Sequence, residues 1–599
     1  MLTHLLKTKL LSRLIIGVFI ALQVWIISSQ QLFGDEAFYW LESQYLDFSY
    51  AELPGWTAWM IRLGTDLFGH SYFAVRIISF LAYLSIYYAA YLINTHFFQV
   101  ETANNHSLLL VSIPLFMLIA CMALPDIWLI FFVVWISFFL IKAVNDNKLR
   151  HWIFLGFIIA CSINVHVRMW FWLFFAGLVF LYFYRGQKYI IKSALLIALP
   201  ASLMGLLPIL YFNYQHDFIL FSFQFDQRHP WKFQLENFSF LISQLIVVTP
   251  WVLFLWFSTV AKIKHSTKQQ PIITWLLLTA LIHWLFYVIM SLFADGLRTT
   301  IHWGLISYIP VLIISGILVV KKQLINWAVL SGGLFSIFLL FFIGLNNNQN
   351  SNLQTRLLDN SQGWQTLSQT VKRMQKQYNL DNIITDYFMT AAELAYELDR
   401  AESIQVLPHA KSVKHGREKQ LSIMGMLLTQ PSSYKQQAIL VVEDSTLKLQ
   451  DKAKYYSQLC DYFKHVSYIE SVNFSHISKQ FHLFKVNNTE SQSCEIPPLF
   501  YIHYEKSHEN RIITGWVVLH HIGIKSLMFE IGEESVLINQ NRLTNKGIKQ
   551  MFPEIEDPNQ PSNGFKIQMR LKDIKNNQFR IKAIGNDNKE YLSQIIYMD

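Results

Sequence analysis

Between Leu11 and Leu345 the sequence passes through one apolar stretch after another, with only short polar breaks between them. Crossing ~30 Å of hydrocarbon takes roughly 20 helical residues, and a chain that repeats such runs has few ways to fold outside a bilayer. The runs fall at 12–29, 73–95, 107–124, 127–142, 151–165, 169–184, 193–212, 238–257, 272–293, 304–320 and 324–345, which predicts a polytopic α-helical membrane protein of about 11 transmembrane helices. Some are short for a crossing, so the pairs meeting at Pro125-Asp126 and at His166-Val167-Arg168 read as tight helical hairpins with polar tips just inside the bilayer surface. Composition agrees. Charged residues are 15% of the 599, against about 25% in soluble proteins, and the 47 Phe, 27 Tyr and 18 Trp suit a bilayer and its interfaces. A soluble enzyme, a disordered chain and a coiled coil are all excluded.

The net charge of +9 does not point to nucleic acid, because the basic residues sit in clusters between apolar runs. Lys and Arg are retained on the cytoplasmic side. That places Lys7, Lys9 and Arg13; Lys142, Lys148 and Arg150; Arg185, Lys188 and Lys192; Lys262, Lys264 and Lys268; and Lys321 with Lys322 inside. The alternation then runs along the whole chain and predicts a cytoplasmic N-terminus and an external C-terminal region. The first 30 residues resemble a signal peptide, but Ile27-Ser28-Ser29-Gln30 offers no A-x-A site, and an uncleaved first helix is expected.

On the opposite side the breaks collect acids, arginines and histidines. They are Gly34-Asp35-Glu36 with the segment Tyr45 to Trp56; Pro125-Asp126; His166-Val167-Arg168; Asn213 to Asn237, with His216, Arg228 and His229; and Asp295 to Trp303, with Arg298 and His302. Any one of these reads equally well as a solvated loop. Charge of both signs beside hydrocarbon costs about 2.5–3.5 kcal/mol per residue at mid-helix, so their joint placement favours a shared site. Asp35-Glu36 carries the chemistry of paired acids, one able to take a proton from a hydroxyl or the two to bind a divalent cation; as a bare pair it also reads as negative charge opening a helix. The stretch Leu207 to His229 mixes aromatics with His, Asp and Arg, a surface suited to gripping phosphate and packing on a sugar or lipid chain. A plain interfacial aromatic belt is the competing account.

At these residues the sequence resembles the bacterial membrane glycosyltransferases of the GT-C superfamily, specifically glycosyltransferase family 39, which includes the protein O-mannosyltransferases and the lipid A aminoarabinose transferase. Gly34-Asp35-Glu36-Ala37-Phe38-Tyr39-Trp40 is similar to the family's D-E-A-Y-Y-W, and Tyr50-Ala51-Glu52-Leu53-Pro54-Gly55 sits where members carry Y-x-D-H/K-P-P. Phe68-Gly69 through Ala74-Val75-Arg76 resembles G-x-x-x-x-A-x-R, and Leu124-Pro125-Asp126 through Phe131-Phe132 resembles T-P-D-x-P-L-x-F-F. Asn213, His216-Asp217, Phe223-Gln224 and Arg228-His229 follow N-x-x-H-D…F-Q…R-H, and His302-Trp303 is similar to H/N-W-x-A-P. Leu53 and Gly55 depart from the pattern, since the family has a basic residue and a second proline there. His166-Val167-Arg168 stands where many relatives have S-K-Y, and Gly304 and Ser307 replace the A-P pair.

The resemblance implies transfer of a sugar, with inversion, from a polyprenyl-phosphate carrier such as undecaprenyl phosphate to an envelope acceptor (lipid A, a protein or a surface glycan) at the periplasmic face. It makes Asp35 the general base or acceptor-orienting acid, with Glu36 and Asp126 supporting it. Arg168, Arg228, His229, Arg298 and His302 become candidates for holding the donor phosphate, and Tyr50, Glu52, His216 and Trp303 for lining the substrate pocket, with His216 also a phosphate candidate. No cofactor is called for; a divalent cation at Asp35/Glu36 is the one option left open. The main rival is a polytopic transporter or flippase, which internal repeats would favour and none are seen; a membrane anchor without catalysis is the other.

After Leu345 the run Asn346-Asn347-Asn348-Gln349-Asn350 marks a linker. The expected division is 1–345 for the transmembrane domain, 346–498 for an α/β domain and 499–599 for an all-β, sandwich-like domain, both extracytoplasmic. The α/β reading rests on Asn382 to Thr385, Ala391 to Leu398, Ser403 to Leu407, Ala438 to Val442, His465 to Ile469 and Phe481 to Val486; the all-β reading on Ile512 to Leu519 and Phe565 to Leu571. Cys121 and Cys161 lie in apolar runs, whereas Cys460 and Cys494 fall in the external part, where an oxidising compartment permits a disulfide. No spacing imitates a zinc site.

Overall fold

The computed structural model describes residues 9–599 apart from 98–107, 229–230, 264–270, 295–300, 319–321, 346–359, 475–476, 478, 508–509, 532–533, 539–541, 544–556, 559–562, 571–577, 594–595 and 598–599. It divides into two compact units. The first takes residues 1–348 together with Lys411–Gln420, and the second Gln349–Ala410 together with Leu421–Asp599.

The first unit is built of helices: α1 (Lys9–Ser29), α2 (Gly34–Gln44), α3 (Trp56–Phe68), α4 (Tyr72–Phe97), α5 (Pro114–Ile119), α6 (Pro125–Asp146), α7 (Leu149–Ile163), α8 (Val167–Tyr184), α9 (Lys188–Gln215), α10 (Ser239–Val248), α11 (Pro250–Val260), α12 (Pro271–Ser291), α13 (Leu305–Leu318) and α14 (Lys322–Leu345). Among the described residues six of these, α4, α6, α8, α9, α12 and α14, are long and apolar enough to cross a membrane, or up to eight crossings if each of two bent pairs counts as one. The helix spanning 149–163 and the apolar helix Ile301–Gly316 are shorter.

The differences from the expected spans have local causes. The run 107–124 is divided into a 3-10 turn, Leu108–Ser112, and the six-residue α5. Pro114 has no N–H and pushes Ile113 into extended backbone, so no helix continues through it. The run 193–212 lengthens into α9, which absorbs the missing donors of Pro200 and Pro208 in a π turn at Ala194–Ala198 and a 3-10 turn at Met204–Leu206. α10 and α11 meet at a bend of 103° where Pro250 forces Thr249 out of helical backbone. α1 and α2 bend by 65° at an extended Phe33. Gly205 lets α9 lie directly on α7, since a Cβ there would fall 2.2 Å from the Ala160 carbonyl oxygen.

Phe154, Leu178, Leu196, Met204, Phe254 and Phe338 are exposed on the surface of this unit. Water would oppose so much apolar surface, and acyl chains accept it. Inside, two of the tryptophans find acceptors: the Trp256 indole donates to the Ser307 carbonyl at 3.1 Å and the Trp284 indole to the Tyr308 hydroxyl at 2.8 Å.

The second unit holds α15 (Trp364–Tyr378), α16 (Phe388–Leu398) and α19 (Leu449–Tyr462). The short helices α17 (Ala410–Lys414) and α18 (Arg417–Ile423) lie where the chain enters and leaves the first unit. A six-stranded sheet runs in the order β2-β1-β3-β5-β4-β6, with β1 (Asn382–Thr385) parallel to β2 (Ile404–Val406) and β3 (Ala438–Glu443). β5 (Gln480–Asn487) pairs antiparallel to β3 and to β4 (His465–Asn473). Cys494, in β6 (Ser493–Cys494), forms a disulfide with Cys460 of α19. Two antiparallel sheets follow, one containing β7 (Leu499–Ser507), β8 (Asn510–Val518) and β10 (Gly564–Arg570), the other β9 (Ile524–Ile531) and β11 (Gln578–Gly585). Ile513 and Phe565 from the first share one core with Phe529 and Ile581 from the second, which is a sandwich.

Candidate active site

The break before α2 places two adjacent acids one residue apart on a helix, where they point in different directions. Glu36 turns inward and is fully buried. Its carboxylate accepts from Arg76 Nε at 2.9 Å and Nη2 at 2.8 Å, from the Phe33 amide at 3.0 Å and from the Ala123 amide at 2.7 Å. Arg76 spends its remaining donors on the carbonyls of Gln30 (2.7 Å) and Gln31 (2.9 Å). This network ties α1, α2, α4 and the segment before α6 together. Glu36, expected beside the chemistry, is thus engaged as a structural strut.

Asp35 faces the other way. Its side chain is 39% exposed, and Oδ1 meets Nη2 of Arg417 at 3.1 Å. Arg417 belongs to Lys411–Gln420, the segment that packs as part of the first unit. Its Nε lies 3.4 Å from Glu52, and its guanidinium covers the Phe38 ring at 4.3 Å. Glu52 stands in the loop between α2 and α3, closed by the Ser49–Pro54 bridge and by Tyr50, whose hydroxyl donates to the Glu42 carbonyl at 3.0 Å. Burial raises the Glu52 carboxyl above the ordinary carboxylate range, and Arg417 pulls it partly back. The Gln224 amide donates to the Glu52 carbonyl, and Gln224 Oε1 accepts from Arg228 at 2.7 Å. His216 and Asp47 approach to 3.9 Å at the edge of the same loop.

Asp126 opens α6, where Pro125 occupies the first turn and the helix N-terminus favours negative charge. Arg168 Nη1 donates to it at 2.8 Å, and His302 Nε2 lies 3.5 Å away. Arg168 is itself fixed at the start of α8, its amide donating to Nδ1 of His166 at 3.1 Å. Asp126, Arg168 and His302, expected on one face, thus meet directly. Trp303, expected in the pocket, is buried among Phe240 and Tyr287. His229 and Arg298 lie outside the described residues. Among the described residues no group of three or more His, Cys, Asp or Glu is arranged to hold a metal ion, and Asp35 and Glu36 face different arginines.

Residues 54–212 match the sequence profile of the family described as dolichyl-phosphate-mannose-protein mannosyltransferase. No curated protein matches the chain. Among solved structures, ArnT from Cupriavidus metallidurans in the apo state is similar at a TM-score of 0.57 and 12% identity, covering 78% of this chain and 97% of that one. The same protein bound to undecaprenyl phosphate gives 0.55 at 12% identity with the same coverage. The archaeal oligosaccharyltransferase AglB from Archaeoglobus fulgidus, in complex with an inhibitory peptide and a dolichol-phosphate, gives 0.41 at 9% identity, covering 81% and 75%. Residues 54–212, which run through helices α3 to α9, thus carry that family's sequence pattern, on a fold similar to that of ArnT.

Proposed function

We propose that this protein transfers a sugar from a polyprenyl-phosphate donor, undecaprenyl phosphate being the carrier, to an envelope acceptor (lipid A, a protein or a surface glycan), with inversion, at the periplasmic face. The observation that carries the reading is the cluster in which Asp126 meets Arg168 at 2.8 Å and His302 at 3.5 Å. The fold shared with a protein that binds undecaprenyl phosphate supports the choice of carrier. The bond between the sugar's anomeric carbon and the phosphate oxygen breaks, and its electron pair leaves with the phosphate. Arg168, Arg228 and His302 offset that charge in a site where fixed donors need not reorganise. The acceptor oxygen attacks from the opposite side of the ring, which inverts the centre. If the acceptor is a hydroxyl, its proton passes to Asp35; if it is a phosphate, already anionic, Asp35 serves to orient it. Asp126 holds Arg168 and His302 in place. In this reading Lys142, Lys148, Arg150, Arg185, Lys188 and Lys192 face the cytoplasm, and the domains at 346–498 and 499–599 lie outside.

The test compares envelope lipids and glycoproteins by mass spectrometry in cells carrying the intact chain, none, or Asp35→Asn. One glycan-bearing product present only with the intact chain is expected. An identical profile in all three removes the transferase reading and favours a flippase. Labelling from each side of the membrane checks orientation: Asp35 and His302 on opposite sides would dissolve the site.

A further inference from the structure

Arg417 enters the site from a part of the sequence far beyond the last apolar run, and the segment that brings it is held in register. The Ala51 amide donates to Gln420 Oε1 at 2.8 Å. Gly416 adopts φ +74° beside the Phe223 ring, where any Cβ would sit 2.6 Å from the ring carbons. Arg417 itself is only 5% exposed, sandwiched between the Phe38 and Tyr39 rings on one side and the acids Asp35 and Glu52 on the other. We propose that Arg417 is a positioning residue of the transfer reaction, clamping Oδ1 of Asp35 so that its other oxygen is presented to the acceptor as an anion.

The proposal rests on the reading of Asp35 as the base or orienting acid. A lone aspartate at a helix start rotates freely, and a rigid guanidinium fork anchored on Glu52 and on aromatic faces removes that freedom. Charge makes the clamp necessary as well as convenient. The donor brings a negative phosphate, which repels the Asp35 carboxylate, and the Arg417 charge at 3.1 Å from that carboxylate offsets the repulsion. The titratable and charged groups facing Asp35 are Arg417 from the inserted segment, Glu52 from the loop after α2, Tyr39 from α2 itself and His302 from the turn before α13.

The experiment uses the full chain in native membrane vesicles and follows the product that distinguishes intact cells from cells lacking the chain. The variants are Arg417→Gln and Arg417→Lys. Undecaprenyl phosphate binding is read in parallel by intrinsic tryptophan fluorescence. Arg417→Gln is expected to slow transfer about tenfold to a hundredfold and to move the acid limb of the pH–rate profile upward, with affinity for undecaprenyl phosphate little changed. Arg417→Lys, which keeps the charge and loses the fork, is expected to fall between. Wild-type rate and acid limb in a folded Arg417→Gln protein overturn the proposal, and a faster variant overturns it in favour of a segment that blocks the site. If Arg417→Gln shows no melting transition, Arg417→Lys decides by the same two readouts. Failure of the underlying reading looks different: the intact chain itself then forms no product.

Discussion

Replacing Glu36 with Gln tests whether this acid is a strut or a reactant. Glu36 and Arg76 are 0% and 2% exposed, and the carboxylate takes four donors at 2.7–3.0 Å. Removing one partner of such a buried pair leaves the other charge uncompensated, at a cost of about 3–5 kcal/mol. At roughly 1 °C per kcal/mol for a chain of this size, the melting temperature should fall by about 3–5 °C. Arg76→Met should cost a similar amount. The double variant Glu36→Met/Arg76→Met should cost less than the sum of its two singles, because no charge is then left alone in the interior. The assay is intrinsic tryptophan fluorescence of the detergent-solubilised protein during heating, with transfer measured on the same samples below the transition. Transfer by Glu36→Gln should survive wherever the protein is folded. A variant with unchanged melting but no transfer would refute the argument and return Glu36 to the chemistry.

Other expectations follow from the same geometry. Asp126→Asn keeps an acceptor for Arg168 but removes its counter-charge, and should slow transfer by about tenfold to a hundredfold through one charge-assisted hydrogen bond; unchanged product formation would show that Arg168 needs no orienting partner. In the second unit, burial depresses the His482 imidazole to about 4, although Asp444 opposes the shift. The unfolded chain binds that proton near pH 6.5, so stability is full above that value and is lost as pH falls toward 4, by about 3 kcal/mol. Burial pushes the Asp444 carboxyl up, but His482, Lys452 and the Tyr456 hydroxyl outweigh it and hold it below the usual range, adding a further loss at still lower pH. Hydrogen exchange of 421–599 between pH 7.5 and 4.5 should show this slope, and His482→Asn should flatten it; an equal slope in both would assign the sensitivity elsewhere. Cys460→Ser opens a disulfide spanning 34 residues, for which loop closure gives about 3–4 kcal/mol. Protease resistance of the second unit should drop accordingly, and resistance unaffected by the substitution would mean that the loop stays ordered without its bridge.

How far the sequence could be read depended on the range of the interaction involved. Long helices such as α6 and α12 follow from hydropathy alone, and the strands Asn382–Thr385 and Ala438–Glu443 from short apolar runs between turns. The run 107–124 was misleading because total hydropathy ignores the backbone donor that Pro114 removes. Asp126, Arg168 and His302 were legible as a group because each interrupts an apolar run at the same level. Asp35 and Glu36 look alike in sequence, and the 100° turn between them sends one to Arg417 and the other to Arg76. Trp303, singled out by a motif resemblance, packs against Phe240 and Tyr287. Arg417 had no signal: Lys411-Ser412-Val413-Lys414-His415-Gly416-Arg417 reads as a solvated basic helix, and nothing in its pattern names an acid on α2 as its destination.

The route of that basic stretch sets a timetable for biogenesis. Every apolar helix of the first unit leaves the ribosome before Arg417 does, and at ~5–20 residues per second the membrane bundle waits several seconds, with Asp35 and Glu52 still lacking their guanidinium. Strands β1 and β2 are synthesised within that interval, ahead of the inserted residues. A nascent polypeptide stopped at residue 400 would therefore own every apolar helix of the first unit and still lack the guanidinium that meets Asp35 and Glu52.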